Sequence, residues 1–439
     1  MVTTRTSDFA NVRNALTQQG ATIALFSAQA VLSARWLGPS GKGLLTITMQ
    51  LGTLLGAAIL LGLPLSVAAH VSRGTIQGRQ VLGALVVLIG LGALGSLAVS
   101  FAAAGHVPSS FRFGVGILPL AVPILGSLSL VTYAGYAAGD SRSPLIGQVL
   151  ANAVLASAYL MFWGLSVPAD FRLAVGAWLV SYLTGGVACM VLMRRFLSEG
   201  PFWIGAGTLR SLFSTGGRAV FGQLASLLNM RLDVLILGLV AGAKPVGIYS
   251  VAVSVVLIPQ VVPQAIALAL TRSFGQNTYP GSSVARVLRL SLVLAVMTGV
   301  AMIILAWVAV TPVFGERFAS VAALVSVMAI PSAVFGTVAI GSQYALHNLK
   351  RPAYQSIVVG LTLALDMIVL ALLVRPYGAW GAAIASSIAY VVGGTINLKQ
   401  MCQWTESNIG EIVLPHAHDF GWLRQQAMLL LGGRPAGEA

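Results

Sequence analysis

The sequence predicts an all-α integral membrane protein with about twelve transmembrane helices in two pseudo-symmetric six-helix bundles. Three observations predict this fold: an apolar composition, a succession of apolar runs of membrane-spanning length, and an internal repeat. Hydrophobic residues make up 57% of the 439 residues, charged residues make up 8%, and the mean hydropathy is +0.89. Soluble domains carry roughly 25% charged residues. This composition therefore excludes a water-soluble surface.

Apolar runs of about 20 residues, the length that spans a bilayer as a helix, recur along the chain. The predicted helices are 12–36, 43–69, 80–104, 115–138, 145–166, 172–193, 219–241, 247–270, 287–311, 320–343, 353–374 and 380–402. The first run contains Asn14, Gln18 and Gln29 and lacks a charged segment followed by a small-residue cleavage site. We interpret it as a mature helix rather than a signal peptide.

An internal repeat with a period of 202 to 208 residues divides the chain into two related halves. The matching segments are 38–43 (GPSGKG) with 242–247 (GAKPVG), 136–144 (YAAGDSRSP) with 344–352 (YALHNLKRP), and 176–178 with 378–380 (both GAW). The third pair is predicted to open helices six and twelve. An even number of helices per half places both halves in the same orientation, related by an axis along the membrane normal, which is an arrangement found in transporters.

The repeat and the longest interior polar break set the predicted domain boundaries. They are an N-terminal bundle at 1–193, a cytoplasmic linker at 194–217, a C-terminal bundle at 218–402 and a cytoplasmic tail at 403–439.

The distribution of Lys and Arg predicts the orientation. With a cytoplasmic N-terminus, 17 of the 25 basic residues fall in inside segments, 7 in outside segments, and Arg231 within a helix. The positive-inside rule favours this topology, with both termini in the cytoplasm. The same pattern accounts for the net charge of +14, so nucleic acid is not an expected partner.

Few charges fall within the predicted membrane region, and each is a functional candidate. They are Arg231 and Asp233 in the seventh helix, Asp366 in the eleventh, and Arg35 near the outer end of the first. The first helix also carries polar residues on an arc of roughly 100°, and the seventh on an arc of about 140°. The members are Asn11, Asn14, Gln18, Thr22, Gln29 and Ser33 on the first, and Arg218, Gln223, Ser226, Asn229 and Asp233 on the seventh. These faces would either line a central hydrophilic cavity or bond packed helices to each other.

Enzyme chemistry finds little support in the sequence. There is no paired-carboxylate motif among the 11 acidic residues, no metal-ligand constellation around the five histidines, and no phosphate-binding glycine loop with its lysine. We expect no cofactor and no catalytic residue. The energy for transport would come from an ion gradient, the membrane potential or the substrate gradient.

Several segments resemble the Wzx-type polysaccharide transporters, the oligosaccharide flippases of the multidrug/oligosaccharidyl-lipid/polysaccharide exporter (MOP) superfamily, to which the MATE exporters also belong. They are 34–43 (ARWLGPSGKG), 231–238 (RLDVLILG) followed by 246–252 (VGIYSVA), and 139–144 (GDSRSP). The resemblance extends to about Gln403. It implies two bundles forming a V around a central cationic cavity.

The resemblance also implies the activity and its partners. The substrate would be a polyprenyl-diphosphate-linked oligosaccharide, moved by alternating access from the cytoplasmic to the outer leaflet of a bacterial inner membrane for cell-surface polysaccharide synthesis. Membrane lipids, a polysaccharide polymerase and glycosyltransferases are the further expected partners. Transport would need no cofactor beyond a H⁺ or Na⁺ gradient.

Site residues follow from this expectation. We expect Arg35 and Arg231 to contact the diphosphate, because arginine binds phosphate oxygens through two parallel hydrogen bonds. The sugar would contact the amides of Gln18, Gln29, Gln223 and Asn229. Asp233 and Asp366 would bind a coupling proton or sodium ion, or would form structural ion pairs with neighbouring arginines.

Other functions remain open at this point. An ion-coupled multidrug exporter of the same superfamily would usually carry more acidic residues in its lobes, and a lipid II flippase commonly has two additional helices. A membrane scaffold or an integral-membrane glycosyltransferase is a further alternative, against which the missing catalytic carboxylates and large loop domain argue.

Overall fold

A computed structural model describes residues 2–103, 105–275, 281–351 and 353–414. Within these ranges, side chains are described except at 2–23, 218–223, 225–226, 229–230, 268–269, 271–273 and 275. The described backbone is helical throughout, joined by short turns and without strands, which confirms the predicted all-α fold. The predicted tail beyond residue 414 lies outside the described residues.

The helices follow the apolar runs of the sequence. Their bounds are α1 Val2–Ile59, α2 Leu63–Ser72, α3 Gly78–Ala103, α4 Ser109–Ala137, α5 Arg142–Gly164, α6 Phe171–Leu192, α7 Arg194–Leu197, α8 Ala206–Ala241, α9 Ala243–Val256, α10 Ile258–Gly275, α11 Gly281–Phe314, α12 Ser320–Gly336, α13 Val338–His347, α14 Ala353–Tyr377, α15 Ala379–Thr405 and α16 Ile409–Val413. A 3₁₀ turn at Glu316–Phe318 joins α11 to α12.

The protein is a multi-pass membrane protein. Nine helical segments in the described part of the chain are long and apolar enough to cross a membrane, or ten if the bent pair Ala243–Val256 and Ile258–Ala267 is one span. Large apolar side chains cover the outside of these helices, with Phe101 87% exposed and Leu372 70% exposed. The predicted count of twelve stays a prediction, because the first two predicted helices are counted together as the single segment Ala24–Ile59 of α1, and the seventh is not among these segments.

Two glycines at equivalent positions of the repeat bend the chain in the same way. Gly38 divides α1 into two limbs at φ 65° and ψ −178°, and Gly242 separates α8 from α9 at φ 82° and ψ −173°. Side chains with a Cβ rarely adopt this backbone conformation, which explains glycine at both positions. Pro39 then begins the second limb of α1, where its missing N–H costs nothing.

The third predicted match of the repeat is not equivalent in structure. Gly378 precedes α15 at φ 54°, so it does open a helix as predicted. Gly176 instead lies in the second turn of α6, which begins at Phe171 and is capped by Asp170. The identical letters therefore fall at different positions of their helices, and Trp178 is buried whereas Trp380 is exposed.

The buried apolar side chains show how the two halves meet. We call α1–α6 the first half, α8–α15 the second half, the end that carries Gly38 and Gly242 the turn end, and the opposite end the linker end. At the turn end, one cluster joins Ile47 and Phe111 of the first half to Leu237 and Tyr249 of the second. At the linker end, one cluster within residues 60–212 joins the first half to the start of α8 at Leu212, and the later helices of the second half have a cluster of their own within 267–412. The halves are thus sealed together at the turn end.

The predicted linker is shorter than its sequence indicates. Residues 206–217 form the first three turns of α8, which begins thirteen residues before the predicted start of the seventh helix at 219. This part of α8 packs on α2. The Ser66 hydroxyl donates to the Leu212 carbonyl at 2.7 Å, and the His70 imidazole contacts the Ser211 hydroxyl at 3.0 Å. Polar residues are tolerated in these turns because they bond to the first half.

The 139–144 motif forms a capped turn between α4 and α5. The Asp140 carboxylate accepts hydrogen bonds from the Arg142 and Ser143 amides and, at 2.5 Å, from the Ser143 hydroxyl. These bonds, the Ser143 hydroxyl foremost, lower the pKa of Asp140. The turn therefore restrains the start of α5 through a single ionised side chain.

We expect this cap to contribute stability that is present above the ordinary pKa of aspartate and is lost as the pH falls through the lowered value. Asp140→Asn should remove that part of the acid sensitivity and lower the unfolding temperature at neutral pH by a few degrees at most. Thermal unfolding of the detergent-solubilised protein at several pH values measures this. Identical pH profiles for both proteins would contradict it.

Candidate functional site

Two carboxylates lie buried inside the second half and are connected by two hydroxyls. The Tyr249 hydroxyl donates to Asp233 Oδ2 at 2.6 Å and lies 3.1 Å from Ser386 Oγ, which is 3.4 Å from Asp366 Oδ1. Asp233 is 7% exposed and Asp366 4%. We call these four residues the acid cluster. Each comes from a different helix, α8, α9, α15 and α14, so the cluster holds four elements together.

The acid cluster has fewer hydroxyl protons than hydrogen-bond contacts. Two hydroxyls supply two protons, yet three contacts connect Asp233, Tyr249, Ser386 and Asp366 in line. In the described part of the chain, neither carboxylate forms an ion pair. Two buried ionised carboxylates without a directly paired cation are unfavourable, and a proton or a cation would complete the chain. The sequence predicted both acids as ion ligands, and the structure brings them together.

Arg231 lies on α8 and interacts electrostatically with residues of both halves. It is partly buried on α8, about 16 Å from the Gly242 turn at 1.5 Å per residue. Its charge is within electrostatic range of Asp233 and Tyr390 in the second half and of Tyr182 on α6 of the first half. The position fits the predicted role of contacting an anionic group from the second half.

Lys42 is a candidate that the sequence argument missed. It was assigned to an outer loop, but it lies in the second limb of α1, about 6 Å from the Gly38 bend. Its ammonium donates to the buried Ser33 hydroxyl at 2.8 Å, and among the described residues no carboxylate pairs with it. A helical reading of 39–59 that began at Pro39 would have placed Lys42 inside the membrane region.

Arg35 is placed at the turn end, on the surface. Its guanidinium donates to the Pro312 and Val313 carbonyls in the last turn of α11 and lies 5.7 Å from the ring of Trp163. The last carbonyls of a helix have no partner within it and attract cations. Arg35 thus fastens the first half to the second across the sealed end, in a contact that sequence alone did not indicate.

Of the four predicted amide side chains, the structure describes that of Gln29. Gln29 is buried and donates to Asn152 of α5, to its backbone carbonyl at 2.9 Å and to its side-chain oxygen at 3.0 Å. This pairing lies within the first half and occupies the amide nitrogen. The side chains of Gln18, Gln223 and Asn229 lie outside the described residues, so their predicted contacts with a sugar stay predictions.

The contact between halves at the turn end is made by glycines of the repeat. A Cβ on Gly43 would lie 1.7 Å from the Ala243 carbonyl oxygen, and a Cβ on Gly247 would lie 1.8 Å from the Pro39 carbonyl oxygen. Nearby, the Thr46 hydroxyl lies 3.4 Å from the Ser250 hydroxyl. We call the contact of Gly43 with Ala243 and of Gly247 with Pro39 the seam. Its two parts are equivalent positions, exchanged between the halves.

Within the part of the chain that the structure describes, no group of three or more His, Cys, Asp or Glu side chains could hold a metal ion.

Known proteins with the same fold are membrane transporters. The sequence model of the family described as "Polysaccharide biosynthesis protein" matches residues 15–272. Among solved structures, an inward-facing multidrug resistance MATE family transporter of the MOP superfamily aligns with a TM-score of 0.66 and 14% identity over 88% of this chain and 94% of that one. The lipid II flippase MurJ in an inward closed conformation aligns with a TM-score of 0.69 and 11% identity over 95% and 92%. No curated protein sequence matches.

Proposed function

The chain belongs to the polysaccharide biosynthesis protein family, and from that premise we propose that it is a flippase for a polyprenyl-diphosphate-linked oligosaccharide. It moves the headgroup from the cytoplasmic to the outer leaflet of a bacterial inner membrane, with the turn end outside and both termini in the cytoplasm. The basic residues counted above support this orientation. Glycosyltransferases would act on the same lipid before transport, and a polysaccharide polymerase would act on it afterwards.

The observation that carries the proposal is a pair of cations, one from each half, close to where the halves meet. Arg231 interacts electrostatically with Tyr182 of α6 and Tyr390 of α15, and Lys42 lies beside the seam with Ser33 as its hydrogen-bond partner. Charged side chains are costly in a membrane and persist where they bind something. A diphosphate supplies the anionic oxygens that an ammonium and a guanidinium bind most strongly.

The packing of the halves supports alternating access. They share one apolar cluster at the turn end. At the linker end the first half packs on the start of α8, and the later helices of the second half have their own cluster, so this conformation opens more readily toward the linker end. With the turn end outside, the state is inward-facing. Arg35 then fastens the outer side, and it becomes available to the diphosphate once its bonds to α11 break.

The acid cluster supports ion coupling. A proton on Asp233 or Asp366 would complete the chain of hydrogen bonds, and a sodium ion would instead take oxygen ligands from Asp233, Asp366 and Ser386. Either ion would change the charge of a site that joins four helices. Binding would therefore bias the relative position of α8 and α14, which lie on either side of the cluster.

Transport of a fluorescent polyprenyl-diphosphate oligosaccharide across proteoliposomes tests the proposal. Lys42→Gln and Arg231→Gln should each reduce the rate by about tenfold or more, because each removes a charged hydrogen-bond donor to the headgroup. Lys244→Gln is the matched control, since Lys244 lies in the equivalent turn of the second half and is exposed. It should transport at the wild-type rate.

The outcomes are distinct. Equal rates for all three variants would contradict the role of the two cations. Absence of lipid transport by the wild type, together with gradient-driven efflux of an organic cation, would establish the ion-coupled multidrug exporter instead, which the buried carboxylates and the MATE-like fold favour as the second candidate.

A further inference from the structure

A second pocket opens at the turn end of the first half, apart from the acid cluster. It has a volume of about 800 Å³ and lies among the second limb of α1 and the first turns of α4 and α6. Its lining is formed by Leu44, Ser109, Ser110, Arg112, Phe113, Gly116, Ile117, Phe171 and Arg172. A volume of roughly 300–1,000 Å³ is typical of sites for small molecules.

The pocket is cationic. Its lining includes Arg112 and Arg172 and no acidic residue, and no ion pair of either guanidinium occurs in the described part of the chain. The carboxylate of Asp170, just outside the lining, accepts a hydrogen bond from the backbone amide of Arg172 at 2.8 Å and caps α6. Two arginines without a carboxylate partner beside one cavity attract an anion with several oxygens.

The remaining lining suits a polar headgroup. Phe113 and Phe171 pack edge to face at 5.1 Å, and the Arg172 guanidinium lies 5.6 Å from the Phe113 ring, which holds this arginine in place. Pro108 precedes α4 without a side-chain cap, so the first amides of α4 at Ser109 and Ser110 add donors beside the arginines. The pocket thus combines an aromatic wall, hydroxyls and fixed positive charge.

We propose that this pocket binds the phosphate-ester headgroup of a lipid in the outer leaflet. Leu44 in its lining follows Gly43 of the seam, so the pocket lies beside the place where the halves must part to release a headgroup outward. The diphosphate of the transported lipid and the phosphate of an anionic phospholipid share this chemistry. Naming the transported lipid as a ligand rests on the proposed function, and the pocket's affinity for phosphate does not.

The experiment uses the full chain with Ser109→Cys in phosphatidylcholine nanodiscs. Two methanethiosulfonate reagents label residue 109, one with a negatively charged sulfonatoethyl group and one with a positively charged trimethylammonium group. Peptide mass spectrometry measures the extent of labelling. Each reagent's rate at residue 109 is divided by its rate with free cysteine. We expect this ratio to be several-fold higher for the anionic reagent than for the cationic one. Inorganic diphosphate should protect the site. In Arg112→Gln/Arg172→Gln, the rate preference should disappear and half-protection should need about tenfold more diphosphate.

The same assay includes a control variant and distinguishes the two possible lipids that could supply the phosphate. Arg375→Gln removes another exposed arginine predicted on the same face and should change neither reading. Protection by added geranyl diphosphate identifies the transported lipid as the source, and protection by phosphatidylglycerol built into the nanodisc identifies a phospholipid. Equal reactivity of both reagents, with no protection by any of the three, would overturn the proposal. Labelling requires no transport, so a negative result in the transport assay leaves this test independent.

Discussion

Asp233→Asn and Asp366→Asn should each abolish gradient-driven transport while leaving the protein folded. Each substitution keeps the shape of the side chain and removes the charge to which a proton or sodium ion binds. The Tyr249 and Ser386 hydroxyls can still bond to the new amide oxygen, so the packing of the four helices should survive. We expect a loss of about a hundredfold or more in transport driven by an imposed gradient.

The measurement is the initial rate of lipid transport in proteoliposomes under a proton gradient and, separately, a sodium gradient. Thr362→Val provides a control. Thr362 is a buried polar residue on the same helix as Asp366, and within the described residues its hydroxyl bonds only to the Val358 carbonyl one turn earlier. It should lose little. If both asparagine variants respond to the gradient as the wild type does, the acid cluster has a structural role and the coupling site lies elsewhere.

Gly43→Ala and Gly247→Ala should separate the halves at the turn end. A Cβ at either position would overlap a backbone carbonyl oxygen of the other half, at 1.7 Å from Ala243 and 1.8 Å from Pro39. Backbone cannot rotate away as a side chain can, so the helices must move apart or the contact must be lost. We expect transport to fall by at least about tenfold, because the conformation in which the halves close at the turn end is lost.

Reactivity of a cysteine introduced at Thr46, beside the seam, reads out the opening directly. It should rise in Gly43→Ala and Gly247→Ala from the outer side. Gly90→Ala is the control, since Gly90 is an exposed helical glycine with no atom near its potential Cβ. Unfolding temperatures distinguish an opened protein from a misfolded one. Wild-type transport by folded Gly43→Ala would show that the halves pass each other without this contact.

The sequence was sufficient for the fold class because a membrane helix is recognised from composition and length alone. The Gly38 and Gly242 turns were found because a positive φ requires glycine at both positions of the repeat. By contrast, the repeated GAW segments misled, since Trp178 is packed inside a bundle and Trp380 faces outward. Identity over three residues does not specify the register of a helix.

The candidate site was predicted in part. Asp233 and Asp366 were identified because a buried charge in a membrane helix is rare, and their connection through Tyr249 and Ser386 depends on tertiary packing that no local pattern reveals. Lys42 was missed because positive charge near a helix end is ordinary in loops. Arg35 was expected to contact substrate, yet in this conformation its guanidinium bonds to carbonyls at the end of α11, which only the packing of the two halves brings near.

A single continuous helix, α8, joins the two halves. It begins against α2 of the first half, where Gly216 and Gly62 lie backbone to backbone, and continues without a break to Asp233 in the acid cluster. The two points are about 25 Å apart at 1.5 Å per residue. A tilt of about 10° around Asp233 would carry Gly216 through about 4 Å on this lever arm. If a proton or sodium ion binds the acid cluster as proposed, a tilt of α8 would carry its effect to the contact of Gly216 with Gly62 at the linker end.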